Sequence, residues 1–203
     1  GLDYVYVPFN VSPDNLKSAI EGANSLNIQG LNVTIPHKIN VIKYLKELDP
    51  IAELIGAVNT IDFKNLKGYN TDGIGCIRAI EEVTKIKDKN IVVAGSGGAA
   101  RAIVFYLAKY GAEEVNILNR NLKKAENLAS DLLASNLISN VNSSDISEIS
   151  KFISDADILI DTTPIGMHPN VSDEPIVKAA DIHEELVVND LVYNPNEPVL
   201  LKE

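Results

Sequence analysis

Asn90-Ile91-Val92-Val93-Ala94-Gly95-Ser96-Gly97-Gly98-Ala99-Ala100-Arg101-Ala102 is the stretch whose reading decides the fold. Residues 91–94 are apolar without alternation, as expected of a strand covered on both faces. The run ends in glycines. Beyond them Ala99, Ala102, Ile103, Tyr106, Leu107 and Tyr110 recur at helical spacing until Gly111 stops the pattern. Gly95 to Ala100 therefore form G-x-G-x-x-A at a strand-to-helix junction. The first glycine makes the tight turn, the second admits a pyrophosphate to the backbone, and the small third residue lets helix pack closely on strand. The free N–H groups and dipole of the helix favour an anion there. A glycine turn can also simply link strand to helix. The strand before it, the helix after it and a second strand at 115–118 favour phosphate binding by Gly95, Ser96, Gly97, Gly98 and Ala99.

The end of that second strand discriminates between cofactors. An acid about 20 residues past the loop would bind the ribose hydroxyl of NAD. This chain has Asn119-Arg120, followed by Lys123 and Lys124. A planar guanidinium beside a second cation suits a ribose 2′-phosphate, hence NADP. Lys123 and Lys124 read equally as a solvated helix face, Lys123 above all.

The same alternation continues outward. Leu122, Ala125, Leu128, Ala129, Leu132 and Leu133 predict a helix. Ser144 is placed to cap another bearing Ile146, Ile149, Phe152 and Ile153. Residues 158–160 and 186–188 read as core strands. Strand–helix alternation implies a parallel sheet with helices on both faces. Upstream, residues 4–7, 31–35, 57–63 and 66–70 read as strands, the last two around Lys64-Asn65. Ser12-Pro13-Asp14 opens a helix bearing Leu16, Ala19, Ile20 and Ala23. Ile39, Ile42, Leu45 and Leu48 predict another, residues 51–55 a short one stopped by Gly56, and Asp72 starts one with Ile74, Ile77, Ile80 and Val83. The polar Lys85-Ile86-Lys87-Asp88-Lys89 divides the chain into domains 1–85 and 86–203.

Composition narrows the function. With 45% hydrophobic and 23% charged residues among 203, the chain can bury a core without staples. Cys76 is the only cysteine, and His37, His168 and His183 are scattered, so no metal site is expected. A net charge of −10 offers no general attraction to nucleic acid or an anionic membrane. The sequence shows neither a membrane-spanning run nor a signal peptide, and a reduced cytoplasmic setting is expected. The absence of an initial methionine points to a piece of a longer product.

Two polar segments interrupt the apolar first half: Asn32-Val33-Thr34-Ile35-Pro36-His37-Lys38, and Asn59-Thr60 with Asn70-Thr71-Asp72-Gly73. Taken alone, the latter is a helix cap and Lys38 a surface lysine. In order along the chain, however, N-V-T-I-P-H-K, G-A-V-N-T, G-Y-N-T-D-G, G-S-G-G-A-A-R-A, N-R-N and D-T-T-P-I-G-M resemble the shikimate dehydrogenase family. The resemblance implies two α/β domains facing a cleft, an N-terminal substrate domain and a Rossmann-type NADP-binding domain. It implies reversible reduction of 3-dehydroshikimate to shikimate in aromatic amino-acid biosynthesis, by a monomer or homodimer with a small-molecule substrate as its partner. Lys38 would be the acid/base residue and Asp72 its partner. Thr34, Asn59, Asp72 and Tyr193 would contact substrate. Gly95 to Ala99 would hold the pyrophosphate, Asn119, Arg120 and Lys124 the adenosine phosphate, and Thr163 and Leu191 would lie on the nicotinamide side.

The family's N-terminal S-x-S motif and its C-terminal glycine-rich segment with a substrate-contacting glutamine fall outside the sequence. A quinate or dual quinate/shikimate dehydrogenase is the nearest alternative, and a non-catalytic nucleotide-binding module a more distant one. An acid/base pair such as Lys38 and Asp72 counts against the latter. A lysine has a reference pKa of about 10.4, so it needs a perturbed site or must act chiefly as a proton donor to the alkoxide, which suits ketone reduction.

Overall fold

A computed structural model describes residues 3–202 of the chain. The chain forms two compact units, one ending at Thr71 and the other beginning at Asp72.

The second unit is built on five parallel strands: β5 (Asn90–Ala94), β6 (Glu114–Leu118), β7 (Val141–Ser144), β8 (Ile158–Asp161) and β9 (Val187–Asp190). Their order across the sheet is β7-β6-β5-β8-β9. From β5 the strands β6 and β7 run outward on one side, and the chain then crosses back to continue with β8 and β9 on the other. This is the doubly wound dinucleotide-binding order, and its reversal lies between β5 and β8. Helices α4 (Gly98–Lys109), α5 (Leu122–Ala134) and α6 (Ile149–Ile153) connect the strands. Val92, Ala94, Leu118 and Leu159 face one side and are buried with Ile149 and Ile153 of α6. The alternate residues Ile91, Val93, Ile117, Ile158 and Ile160 are buried as well. Both faces are thus covered, which explains strands without polar alternation.

α3 (Asp72–Glu81) belongs with this unit. Gly73 is the reason it can approach α4: a side chain there would run into the Tyr106 ring and the Ala102 carbonyl. The packing division therefore falls before α3, upstream of the polar 85–89 stretch. Val83, expected on the helix face, lies beyond its end and is 74% exposed.

The first unit contains shorter elements: α1 (Leu16–Ser25), β1 (Gly30–Asn32), β2 (Glu47–Leu48), α2 (Pro50–Ile55), β3 (Thr60–Asp62) and β4 (Lys67–Tyr69). The sheet order is β1-β3-β4-β2, with β1/β3 and β3/β4 antiparallel and β2/β4 parallel. Leu16, Ile20 and Ala23 of α1 pack with Val33, Val41, Ala52, Val58, Ile61 and Phe63. The Asp49 side chain caps α2 by accepting from the Ile51 N–H at 3.1 Å, and Gly56 ends it at φ 73°.

Three sequence expectations fail here. Residues 4–7 form no strand, and Tyr4, Val5 and Tyr6 are exposed. The segment makes no ladder, although the Tyr6 hydroxyl donates to Asn32 of the edge strand β1 at 3.2 Å. Only a 3-10 turn, Asn40–Tyr44, forms in the segment expected to be helical. The apolar spacing of Ile39, Ile42, Leu45 and Leu48 is three residues, the period of a 3-10 helix and not of an α-helix. Ile39 is exposed, and the buried residue is Val41. Finally, Ser144 closes β7, and Asp145 caps the following turn by accepting from Ser147 N–H at 2.9 Å.

Candidate functional site

In the second unit the site residues follow from strand register. Leu118 pairs with Ala94, Ala94 with Asp161, and Asp161 with Asp190, one row across four strands. Immediately beyond that row lie Asn119, Gly95, Thr162 and Leu191. All four are at the carboxyl edge of a parallel sheet, and Gly95 and Thr162 flank the reversal of strand order. That is where ligands bind in such sheets.

Gly95 is fixed by its surroundings. Its φ is 104°, a side chain would collide with the Thr162 hydroxyl, and its N–H donates to the Leu118 carbonyl at 2.7 Å. The Thr162 hydroxyl is itself locked by donating to the Ala94 carbonyl at 2.7 Å. Gly97 and Gly98 differ: a side chain at either would meet nothing within 4 Å. Both are exposed at the start of a twelve-residue helix, with Ser96 and Ala99 half-buried beside them. A cradle of open backbone above a helix N-terminus fits a pyrophosphate.

The cation pattern at the end of β6 fits a further phosphate. Arg120 and Lys124 are exposed, and among the described residues neither has an ion-pair partner. Lys123 pairs with Glu126 at 3.1 Å and belongs to the solvated face. Arg101, the remaining nearby cation, is held by Asp131 at 2.6 Å. Asn119, half-buried, donates to the Asn121 carbonyl at 3.0 Å, and Asn121 caps α5 by accepting from Lys124 N–H. The segment is ordered by its own turn, leaving Arg120 projecting with no acid in the ribose position.

Thr163 and Leu191 are both half-buried at this edge. Thr163 N–H donates to Asp161 Oδ1 at 2.7 Å, and Leu191 N–H to the Asp161 carbonyl at 3.0 Å. Tyr193, two residues on, is 86% exposed. Burial pushes the Asp161 carboxyl up to about 6 against the hydrogen bonds from Thr163, with Asp190 adding repulsion. Sequence reading missed Asp161, Thr162 and Asp190. The available signal was an acid closing an apolar strand, twice.

In the first unit Thr34, Lys38 and Asn59 gather around one end of β1 and β3. Val33 N–H donates to the Asn59 carbonyl at 2.7 Å, and Val58 N–H to the Lys38 carbonyl at 2.8 Å. Between them the chain turns back, with His37 N–H donating to the Thr34 carbonyl at 2.9 Å. Thr34 is exposed and Lys38 half-buried. Asn59 is 8% exposed, and its side chain is a junction. It donates to the Thr71 hydroxyl at 3.0 Å while accepting from the Thr71 N–H at 2.9 Å and the Thr60 hydroxyl at 2.9 Å. Asn70, 2% exposed, donates to the Ala57 carbonyl at 3.2 Å. These bonds fix the backbone that leads into Asp72, the first residue of α3, half-buried. His37 meets the Val11 carbonyl and His183 the Ala156 carbonyl, both structural contacts. Among the described residues no group of acids, histidines and cysteines could hold a metal, and no helix is long and apolar enough to cross a membrane.

Comparison with known proteins shows the family. The model of the shikimate dehydrogenase substrate-binding domain matches residues 1–61, and that of shikimate/quinate 5-dehydrogenase matches residues 78–193. The chain belongs to the shikimate dehydrogenase family. It is 70% identical over its whole length to the NADP-dependent shikimate dehydrogenase of Methanobrevibacter smithii, of which it spans 72%. A crystal structure of a shikimate dehydrogenase in complex with NADP+ is 51% identical, with a TM-score of 0.91 over 100% of this chain and 71% of that one. The Listeria monocytogenes enzyme, in complex with shikimate and NAD, is 35% identical with a TM-score of 0.92 over 98% of this chain and 72% of that one.

Proposed function

We propose that the chain catalyses the reversible, NADP-dependent reduction of 3-dehydroshikimate to shikimate, a step of aromatic amino-acid biosynthesis. The observation that carries this reading is the row of strand ends. An open glycine cradle at Gly97 and Gly98 shares the carboxyl edge with an unpaired Arg120 and lacks an acid for the ribose. Relatives named as NADP-dependent shikimate dehydrogenases supply the substrate.

The residues divide the work as follows. Gly95 to Ala99 cradle the pyrophosphate, Arg120 with Asn119 and Lys124 holds the 2′-phosphate, and Thr163 and Leu191 border the nicotinamide. When bound, the nicotinamide supplies the hydride that reaches the carbonyl carbon. Lys38 gives its proton to the developing alkoxide oxygen, and takes it back when shikimate is oxidised. A positioned acid/base of this kind contributes about 10²–10⁴-fold. Asp72 accepts a hydrogen bond from a substrate hydroxyl. Thr34, Asn59 and Tyr193 contact the substrate. Most of the Asn59 side chain is occupied by Thr60 and Thr71, so its main service is to hold that surface in shape.

The test is a turnover assay on the full-length protein reading nicotinamide absorbance, with shikimate and quinate each offered with NADP and NAD. Shikimate with NADP should be the best pair by at least tenfold. Preference for quinate would move the chain to the sister activity, and turnover with none would leave a nucleotide-binding module.

A further inference from the structure

We propose that Asp161 and Asp190 share one proton, forming an O–H···O bond across the ends of β8 and β9 that positions the two loops carrying Thr163 and Leu191. The two residues are register partners on neighbouring parallel strands. Paired residues in a sheet project from the same face, and adjacent strands lie about 4.8 Å apart. The two carboxyl groups are therefore neighbours.

Their environment is apolar. On the same face lie Ala94, the partner of Asp161 on β5, with Leu159 and Val188 one step back. Asp161 is 1% exposed. Each carboxyl is engaged by its own following loop: Asp161 accepts from the Thr163 N–H, at 2.7 Å on Oδ1, and from the Thr163 side chain, whereas Asp190 accepts on Oδ1 from the Val192 N–H at 2.8 Å. Asp190 Oδ2 is buried and has no hydrogen-bond partner. A buried oxygen of a charged carboxylate left unpaired is costly, and a second buried carboxylate beside it adds repulsion. One proton placed between them removes both penalties, as in other carboxyl pairs that cannot both ionise.

Among the described residues no cation pairs with either aspartate, and the charge that bears on Asp161 is the Asp190 carboxylate. The 3-10 turn Val199–Lys202, which packs by β9, buries Leu200 and leaves Lys202 exposed. The Cys76 thiol on α3 meets the neighbouring Asn189 and is pushed up to about 12 by burial, so it stays neutral. Burial raises both aspartates, Asp161 to about 6.

The shared proton leaves the pair as pH rises through about 6, as one macroscopic step. Because the folded value lies above the unfolded one, the pair's contribution is complete below the ordinary carboxylate range. It is lost as pH rises through the folded value. The effect on Thr163 and Leu191 matters for catalysis only if they border the nicotinamide as proposed above, whereas the proton sharing itself does not depend on that reading.

The experiment is a carboxyl-carbon NMR titration of the protein and of its Asp161→Asn and Asp190→Asn variants, with thermal midpoints across the same pH range. The wild type should show an aspartate step near 6. In Asp190→Asn the new amide donates to Asp161, and the step should fall into the ordinary range. In Asp161→Asn the amide donates to Asp190 Oδ2 without needing a proton. The thermal midpoint relative to wild type should then be several degrees higher at pH 7.5 than at pH 4. A step that stays near 6 in folded Asp190→Asn would show that burial alone raises Asp161 and would overturn the pairing. So would a wild type in which no aspartate titrates above the ordinary range. If Asp190→Asn fails to fold, the pH dependence of Asp161→Asn decides. A difference from wild type that does not change with pH rejects the proposal.

Discussion

The two units of this molecule hold their functional residues in different ways. In the second, position comes from regular secondary structure: four parallel strands in register end on one row, and the residues after that row form the site. In the first, strands are two or three residues long, and position comes from side chains bonded to backbone, chiefly those of Asn59 and Asn70. A parallel sheet buried on both faces keeps most of its polar residues at or past its strand ends, so its site is a set of loops on a rigid edge. A small mixed sheet lacks that margin. There the polar residues that shape the surface and those that perform chemistry lie side by side.

The largest expected effect lies in the first unit. Lys38→Ala should lower kcat by about 10²–10⁴-fold while leaving the affinity for NADP unchanged. Steady-state kinetics with a parallel calorimetric titration reads both. A change in cofactor affinity of similar size would mean that Lys38 shapes the fold and not the reaction. Asp72→Asn should reduce rate and raise KM for shikimate together, whereas a cap role alone would show only as lost stability.

The glycine loop separates two kinds of requirement within one motif. Gly97→Val fills open space, so the protein should fold with its normal thermal midpoint and lose measurable NADP binding. Gly95→Ala adds a side chain at φ 104° against Thr162 and should cost about 1–3 kcal/mol of stability. Denaturant unfolding of both variants checks the contrast. A stable, tightly binding Gly97→Val would remove the pyrophosphate from this loop.

The smallest effect expected is at the opposite edge of the same sheet. Asp157 is pushed upward by burial, but Lys89 at 2.6 Å and the Asn90 N–H at 2.8 Å outweigh that and hold it below the ordinary range. A depressed folded value stabilises above the ordinary carboxylate pKa and is lost as pH falls through the folded one. Both side chains are 34% exposed, so Asp157→Asn should cost no more than about 1 kcal/mol at pH 7. Most of that difference should vanish in acid, as chemical denaturation at the two pH values will show. A constant difference would mean that the ion pair contributes nothing.

The same contrast governs what could be read from sequence. β5, α4, β6 and α5 are legible because an unbroken apolar strand followed by a helical stripe has one reading. β7 is not, since Val141-Asn142-Ser143-Ser144 is an edge strand whose Asn142 bonds to Asn116 at 3.0 Å, a pairing that local pattern does not announce. Residues 4–7 mislead in the other direction, because β-propensity reports a preference for a partner and not its presence. The glycine loop and Arg120 were visible as motif and spacing. Lys38 and Asp72 stood out only through the family resemblance, because a lysine after a proline turn and an acid at a helix start are commonplace. Asp161 and Asp190 escaped notice because an acid after an apolar run reads as the end of burial. Only the register shows two of them facing each other inside it.

The account rests most heavily on the claim that the row of strand ends is an NADP site read by Arg120. Calorimetric titration of the protein and of Arg120→Ala with NADP and NAD tests it directly. Loss of charged hydrogen bonds to the 2′-phosphate should weaken NADP by about tenfold to a hundredfold and leave NAD unchanged. Equal losses for the two cofactors, or none for either, would contradict it.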